Sequence, residues 1–259
     1  MSKRSLFWKL PVFLFLAVLV ALVGQVVIFP FVDHSGSPAY FGDYSNSGYY
    51  EINPETILTT IDQGNNDVFV PFFGDPDQDE PYYGDISWSQ SDYLKIANAL
   101  SLKTWNEPLD LENWQVIDMD LIGSCDDKTQ GFHTFTITYY KSLGIINQEI
   151  HYITRLIEII SWQGLVRWGK DAEFSAPLLL GWDGVELPRF SITADDALQI
   201  AEENSGSEIR SKVNNDCRII VTVNQLSPFP HPVNWLVDYD RADFYMHINP
   251  YTGKYKVLR

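Results

Sequence analysis

The sequence predicts an α+β protein, with an N-terminal transmembrane helix followed by two units that each pack a helix on an antiparallel sheet. Three observations lead to this fold class. A long apolar run without charges opens the chain, two later stretches resemble each other, and the segments after each stretch alternate apolar and polar residues as half-buried strands do. Because a helix and a one-sided sheet each have an apolar face to bury, packing one on the other is the expected arrangement.

The N-terminus predicts a membrane anchor. Residues 1–9 contain three basic residues and no acid, and residues 10–32 then run 23 positions without a charge. A helix of that length spans roughly 34 Å, which is enough to cross a hydrocarbon core of about 30 Å. A cleaved signal peptide is the alternative, although the small residues that its cleavage site needs are poorly placed. The predicted location is the cell membrane, in a single pass, with residues 1–9 cytoplasmic and the bulk of the chain outside.

Residues 33–86 predict an acidic, aromatic-rich stalk, since they contain eleven acids and no Lys or Arg. Three alternate carboxylates in the stalk resemble the first ligands of a calcium-binding loop: Asp75, Asp77 and Asp79. The rest of the pattern fails, because Glu80 stands where the loop needs glycine and Ile86 where it needs a bidentate glutamate. We interpret the three aspartates as a solvated acidic turn, with calcium binding as the alternative.

Internal similarity divides the remainder of the chain. Residues 87–97 align with residues 191–201 at an offset of 104, and six of the eleven positions coincide or nearly so. Each stretch begins with a capping box, Ser89 with Asp92 in the first and Thr193 with Asp196 in the second. Strand-like segments further on also correspond, so residues 87–160 and 191–259 are interpreted as two copies of one unit. Residues 161–190, which are rich in Trp and Gly, connect them.

The second unit resembles a PepSY domain. The resemblance rests on residues 192–193 and 197–201 in and before the helix, Gly206 after it, the strand at 235–239, and the hairpin at 245–257 with Thr252 and Gly253 at its turn. The first unit is a degenerate copy, because residues 153–157 continue where the Thr-Gly turn should come. The resemblance implies a helix-on-sheet fold, an extracytoplasmic or membrane-linked setting, and a role in binding or restraining peptidases. PepSY domains have no catalytic residues to carry over.

Charge and motifs exclude several functions. The chain has 18 Lys and Arg against 34 Asp and Glu, a net charge of −16, so nucleic acid is not an expected partner. The sequence contains no metalloprotease helix motif, no nucleophile elbow and no phosphate-binding glycine loop. His151 and His247 occupy equivalent strand positions, which either a pair of metal ligands or, more simply, one inherited polar position would explain. No catalytic or cofactor-binding residue is predicted.

The predicted function is a non-enzymatic, membrane-anchored extracytoplasmic module that binds or restrains a peptidase or another envelope protein. We expect the partner on the sheet of the second unit, through the open face or an exposed edge strand, at Trp235, Tyr239, Tyr245 and His247. The alternative is a structural or sensory ectodomain that responds to divalent cations through its acidic stalk. In an oxidising compartment Cys125 and Cys217 are either one disulfide or two small buried apolar residues, and the sequence leaves both open.

Overall fold

A computed structural model describes most of the chain after residue 45. The described residues are 46–65, 67–74, 83–84, 86–126, 131–177, 184–224 and 233–258. The predicted leader at residues 1–9, the predicted anchor at residues 10–32 and the three stalk aspartates, Asp75, Asp77 and Asp79, lie outside them.

One antiparallel sheet organises the described chain. Its ten strands are β1 (Asn46–Glu51), β2 (Val70–Phe72), β3 (Gln115–Ser124), β4 (Thr134–Ile146), β5 (Glu149–Ile160), β6 (Leu165–Pro177), β7 (Arg218–Asn224), β8 (Trp235–Asp240), β9 (Phe244–Ile248) and β10 (Tyr255–Leu258). They lie side by side in the order β10-β9-β8-β7-β3-β4-β5-β6-β1-β2. β10 and β2 therefore form the two ends of the sheet.

The helices are few and mostly short. They are α1 (Ile57–Asp62), α2 (Gln90–Trp105), α3 (Ala194–Ala201) and α4 (Ser207–Lys212), with a 3-10 turn at Leu187–Arg189 and a π-helical segment at Glu202–Gly206 between α3 and α4. The two predicted capping boxes are confirmed, because Ser89 begins α2 and Thr193 begins α3 with reciprocal bonds to the aspartate three residues on. These bonds satisfy backbone N–H groups that the first helical turn leaves free.

The predicted α+β class with two PepSY-like units is wrong. The described chain is mostly β, with one continuous sheet in place of two separate units. β3 comes from the first predicted unit and β7 from the second, and they pair along seven residue pairs. Sequence alternation does not show this junction, because a strand has the same apolar–polar pattern whether its outer edge is free or paired.

The described part of the chain also lacks the transmembrane helix of the predicted fold class. None of its helices is both long and apolar enough to cross a membrane. Segments assigned to the stalk and to the connector instead contribute strands, since β1 and β2 come from residues 33–86 and β6 from residues 161–190. β1 pairs with β6 over six residues, which ties these two parts of the sequence into one end of the sheet.

The main core lies between the sheet and the helices. In α2, apolar side chains at helical spacing, including Tyr93 and Ile96, are fully buried, and the Tyr93 ring stacks on Phe135 of β4 at 5.2 Å. On the other half of the sheet, Ala197 of α3 and Trp235 of β8 belong to the same buried cluster. Because each strand presents alternate residues to this core, the other half of its side chains lies on the opposite face.

The two halves are also joined at the helices and by a covalent bond. The backbone N–H of Gln90 in α2 donates to Asp195 Oδ2 at 2.9 Å, and the Gln90 side chain accepts from the N–H of Ala194 at 2.6 Å. Cys125, directly after β3, forms a disulfide with Cys217, directly before β7. The cysteines that the sequence left open are therefore paired, and both are buried.

Candidate binding surface on the open sheet face

The sheet face opposite the helices is the candidate site, and we call it the open face. Every described α-helix buries at least one residue in the core on the other face: Ile57 of α1, Tyr93 of α2, Ala197 of α3 and Ile209 of α4. No helix in the described ranges covers the open face. A half-exposed sheet face of this kind is expected to carry polar residues, and the informative residues are those that are buried there without a partner.

Two aspartates lie at the centre of the open face. Asp118 and Asp120, which we call the acid pair, alternate with buried Met119 along β3, so both point away from the helices. Threonines flank them on the neighbouring strands, since Asp118 pairs with Thr138 of β4, and Asp120 pairs with Thr136 of β4 and Thr222 of β7. The register thus places three hydroxyls around two carboxyls.

The carboxyls of the acid pair are held in an environment that disfavours their charge. Burial, and to a smaller extent the neighbouring Asp120, raise the pKa of Asp118 to about 7. Burial also raises the pKa of Asp120, while the Thr222 hydroxyl lowers it. Removing a carboxylate from water without supplying a cation penalises the ionised form, which accounts for both directions.

Two other carboxyls on the same face are paired. Glu158 of β5 lies 3.6 Å from Arg167 of β6, and Asp240 of β8 lies 2.8 Å from Arg218 of β7. The acid pair has no such ion pair among the residues that the structure describes. Asp238 of β8, on the same face, is likewise in no ion pair of the described residues, and burial raises its pKa.

The hydroxyl of Thr138 lies beside the acid pair. Thr138 is fully buried and pairs in register with Asp118. Its hydroxyl interacts with Asp118 and lowers the pKa of that carboxyl, against the larger opposite effect of burial.

The four residues predicted to bind a partner do not share one surface. Trp235 and Tyr239 are fully buried under the helices, where Trp235 Nε1 donates to the carbonyl of Ile192 at 2.9 Å and Tyr239 Oη donates to Glu202. They are core residues and are not accessible to a partner. Tyr245 and His247 of β9 do lie on the open face, and the Tyr245 side chain is exposed.

The two equivalent histidines are far apart. His247 in β9 and His151 in β5 are five strand positions apart in the sheet order, which is about 24 Å at the usual strand spacing. They cannot ligate one ion. Burial lowers the pKa of His247, so this side chain is mainly neutral at pH 7. Within the described ranges no group of three or more His, Cys, Asp or Glu residues is arranged to hold a metal ion.

Sequence reasoning missed the acid pair, although a signal for it was present. In residues 116–121, which lie within β3, two aspartates alternate with apolar residues. An acid repeated on one face of a strand that pairs on both sides is unusual enough to mark that face. What the sequence could not show is that β3 is central in the sheet, which is why the carboxyls are buried.

A second exposed surface lies at the turn between β4 and β5. Leu143, Ile145 and Ile146 are each at least half exposed there. Behind them an aromatic cluster on the open face packs Tyr152 against Phe174 at 4.8 Å and Tyr140 against Tyr152 at 5.4 Å. This apolar turn is separate from the acid pair.

Comparison with known proteins adds no relative. The chain matches no protein-family profile, no curated protein and no solved structure. The PepSY resemblance of residues 191–259 therefore has no support beyond its short motifs, and the mostly-β sheet argues against it.

Proposed function

We propose that this protein is a non-enzymatic extracytoplasmic binding module that holds an envelope protein, such as a peptidase, on its open face. One observation carries the proposal: Asp118 and Asp120 are mostly buried on a face that no described helix covers, and no described cation neutralises them. Groups that weaken a fold in this way are typical of surfaces that a ligand completes.

Desolvated, unpaired carboxylates destabilise a folded protein, and replacing them with well-packed neutral residues is often stabilising. A partner that supplies the missing positive charge and hydrogen bonds removes that penalty only when it is bound. The same residues that weaken the free fold thus favour the complex.

The disulfide supports the proposed compartment. Disulfides form and persist in oxidising environments and are rare where cytosolic reductants act. Cys125 and Cys217 are bonded and buried, and the bond joins the end of β3 to the start of β7. A structural bond at this position suits a protein that folds outside the cytoplasm.

Site-specific photocrosslinking tests the proposal. The aromatic photocrosslinker p-benzoylphenylalanine replaces Tyr245, which is exposed on the open face, in the full-length protein in intact cells. The matched control places it at Tyr251, which is equally exposed but contacts Phe190 on the helix side. We expect the photocrosslinker at position 245, but not at position 251, to capture one extracytoplasmic protein. We also expect that protein, once purified, to bind the purified full-length chain.

Two results would contradict the proposal. One is equal capture from both positions, which would show that contact is not specific to the open face. The other is repeated capture of nothing, or only of other copies of this chain, from position 245.

A further inference from the structure

The apolar turn between β4 and β5 projects beyond the neighbouring strand β3. β3 starts at Gln115, which pairs with Tyr140 of β4, so residues 141–146 of β4 pair with β5 and with no other described strand. Six residues of strand extend over roughly 20 Å. The ring of Tyr152 in β5 stacks on that of Phe174 in β6 at 4.8 Å, which packs these two strands together behind the turn. The turn therefore stands at the end of a supported, three-stranded extension of the sheet.

The end of this extension is apolar and uncharged. Leu143, Ile145 and Ile146 are 50%, 64% and 50% exposed, and residues 142–148 contain no acidic or basic side chain. Single exposed aliphatic residues are ordinary on a protein surface. Three of them within four positions of a projecting turn form an apolar patch, and such patches mark contact surfaces.

The described chain begins at the end of the sheet that faces the apolar turn. β1 runs antiparallel to β6, and its first residue, Asn46, pairs with Lys170, whereas Pro177 of β6 pairs with Glu149 beside the turn. The N-terminal end of β1 therefore points toward the turn, which lies roughly 20 Å further along β6. A chain of 13 residues, the length of the preceding segment 33–45, spans at most about 45 Å, which exceeds that distance.

This placement favours a lipid bilayer as the occupant of the apolar turn. Residues 10–32 lie outside the described residues and run 23 positions without a charge, and an uncharged run of that length has the composition of a segment that enters lipid. If that segment enters a bilayer, the chain that follows it is long enough for the apolar turn to reach the same surface. Insertion into lipid requires only exposed apolar side chains, and the turn supplies these without charged groups.

We propose that the apolar turn inserts into the surface of a lipid bilayer with neutral headgroups. This surface is separate from the open face, so the inference goes beyond the proposed function. The exposed side chains of Leu143, Ile145 and Ile146 leave water on insertion, which is the source of the affinity. Anionic headgroups repel a chain with a net charge of −16, so phosphatidylcholine is the expected surface.

A fluorescent label at the turn tests the inference. The Ile145→Cys variant of the full-length protein carries the environment-sensitive dye NBD on its new thiol, since the two native cysteines are bonded to each other. The labelled protein is mixed with phosphatidylcholine vesicles, with and without lipid that carries a nitroxide on its acyl chain. Because the dye leaves water on insertion, we expect the vesicles to shift its emission to the blue and the nitroxide lipid to quench it at least twofold.

A label at the opposite end of the sheet is the matched control. Phe73 directly follows β2 and is 94% exposed, and β2 pairs with the half of β1 that lies further from the apolar turn. The Phe73→Cys variant, labelled in the same way, is expected to show neither effect. The label at position 145 should lose at least half of its quenching when Leu143→Ser and Ile146→Ser are added, whereas Val70→Ser should leave the quenching unchanged. Thermal unfolding of each variant confirms that it is folded.

Three results would overturn the inference. They are equal quenching at positions 145 and 73, no quenching at position 145 in protein that floats with the vesicles, and no association of the full-length protein with the vesicles. A blue shift at position 145 that depends on protein concentration and not on lipid would also overturn it, by assigning the turn to contact between copies of this chain. Crosslinking from position 245 is independent of all these measurements, so the two proposals fail separately.

Discussion

At the scale of single residues, Asp118 is a partly buried carboxyl that no cation neutralises within the described ranges. Its carboxyl has a pKa of about 7 in the folded protein, well above that of an exposed aspartate. The folded state therefore binds this proton more tightly than the unfolded state does. Stability from this group is fully present at low pH and is lost as the pH rises from about 4 to 7, because the unfolded chain ionises first.

The Asp118→Asn variant should remove this loss. We expect it to be more stable than the parent at pH 8, by about 1–3 kcal/mol, and to differ little at pH 4, since asparagine keeps the shape without the charge. Urea unfolding at several pH values measures the difference, with Glu158→Gln as the control. An unchanged pH dependence in Asp118→Asn would show that its carboxyl is not the buried acid.

Other single residues show what a sequence leaves hidden. Arg155 is 7% exposed, with its guanidinium between the rings of Trp105 and Trp114 at 4.8 and 4.5 Å and a salt bridge to Glu107 at 2.8 Å. The sequence of β5 shows an arginine at this position, but it does not show which aromatic residues enclose the side chain. Those residues come from a helix end and a loop, which only the tertiary fold brings together.

At the scale of elements, the meeting of two helix N-termini holds the halves of the protein together. Gln90 at the start of α2 is 8% exposed, and its side chain is the acceptor for the buried N–H of Ala194 at the start of α3. Asp195 Oδ2 in turn accepts a hydrogen bond from the N–H of Gln90. The capping boxes could be predicted from local sequence, whereas this contact between residues about 100 positions apart could not.

Gln90→Ala should therefore destabilise the protein. It leaves the buried N–H of Ala194 without an acceptor, for which a cost of about 1–3 kcal/mol is typical. The same substitution at Gln199, an exposed glutamine on α3, should cost less than about 0.5 kcal/mol. Urea unfolding compares the two variants, and equal losses would contradict a specific role for the helix contact.

At the scale of the whole molecule, the strands were easier to predict than their arrangement. Residues 235–239 were predicted to be a strand, and the strand β8 begins at Trp235. The predicted partner surface wrongly included Trp235 and Tyr239. Alternation separates the two faces of a strand, but it does not show which face the helices cover. The pairing of β3 with β7 likewise depends on the whole chain and decides which carboxyls are buried.

The disulfide makes this central pairing testable. The disulfide joins residues that are 92 positions apart in the sequence. It lies beside the last residue of β3 and the first residue of β7. Cross-linking so distant a pair restricts the unfolded chain, and a loop of this size corresponds to roughly 4–5 kcal/mol in the chain-entropy account. The double variant Cys125→Ala, Cys217→Ala should lose about 3–5 kcal/mol of unfolding free energy, which includes the native packing of the two sulfurs.

Reductant separates the bond from the packing of the cysteines. Because both cysteines are buried, the comparison needs equilibrium urea unfolding with and without reductant rather than brief reduction of the folded protein. We expect reductant to lower the stability of the parent close to that of the double variant and to leave the double variant unchanged. If the parent is equally stable in both conditions, the bond does not hold β3 and β7 together, and the paired central strands must be held by their hydrogen bonds and core packing alone.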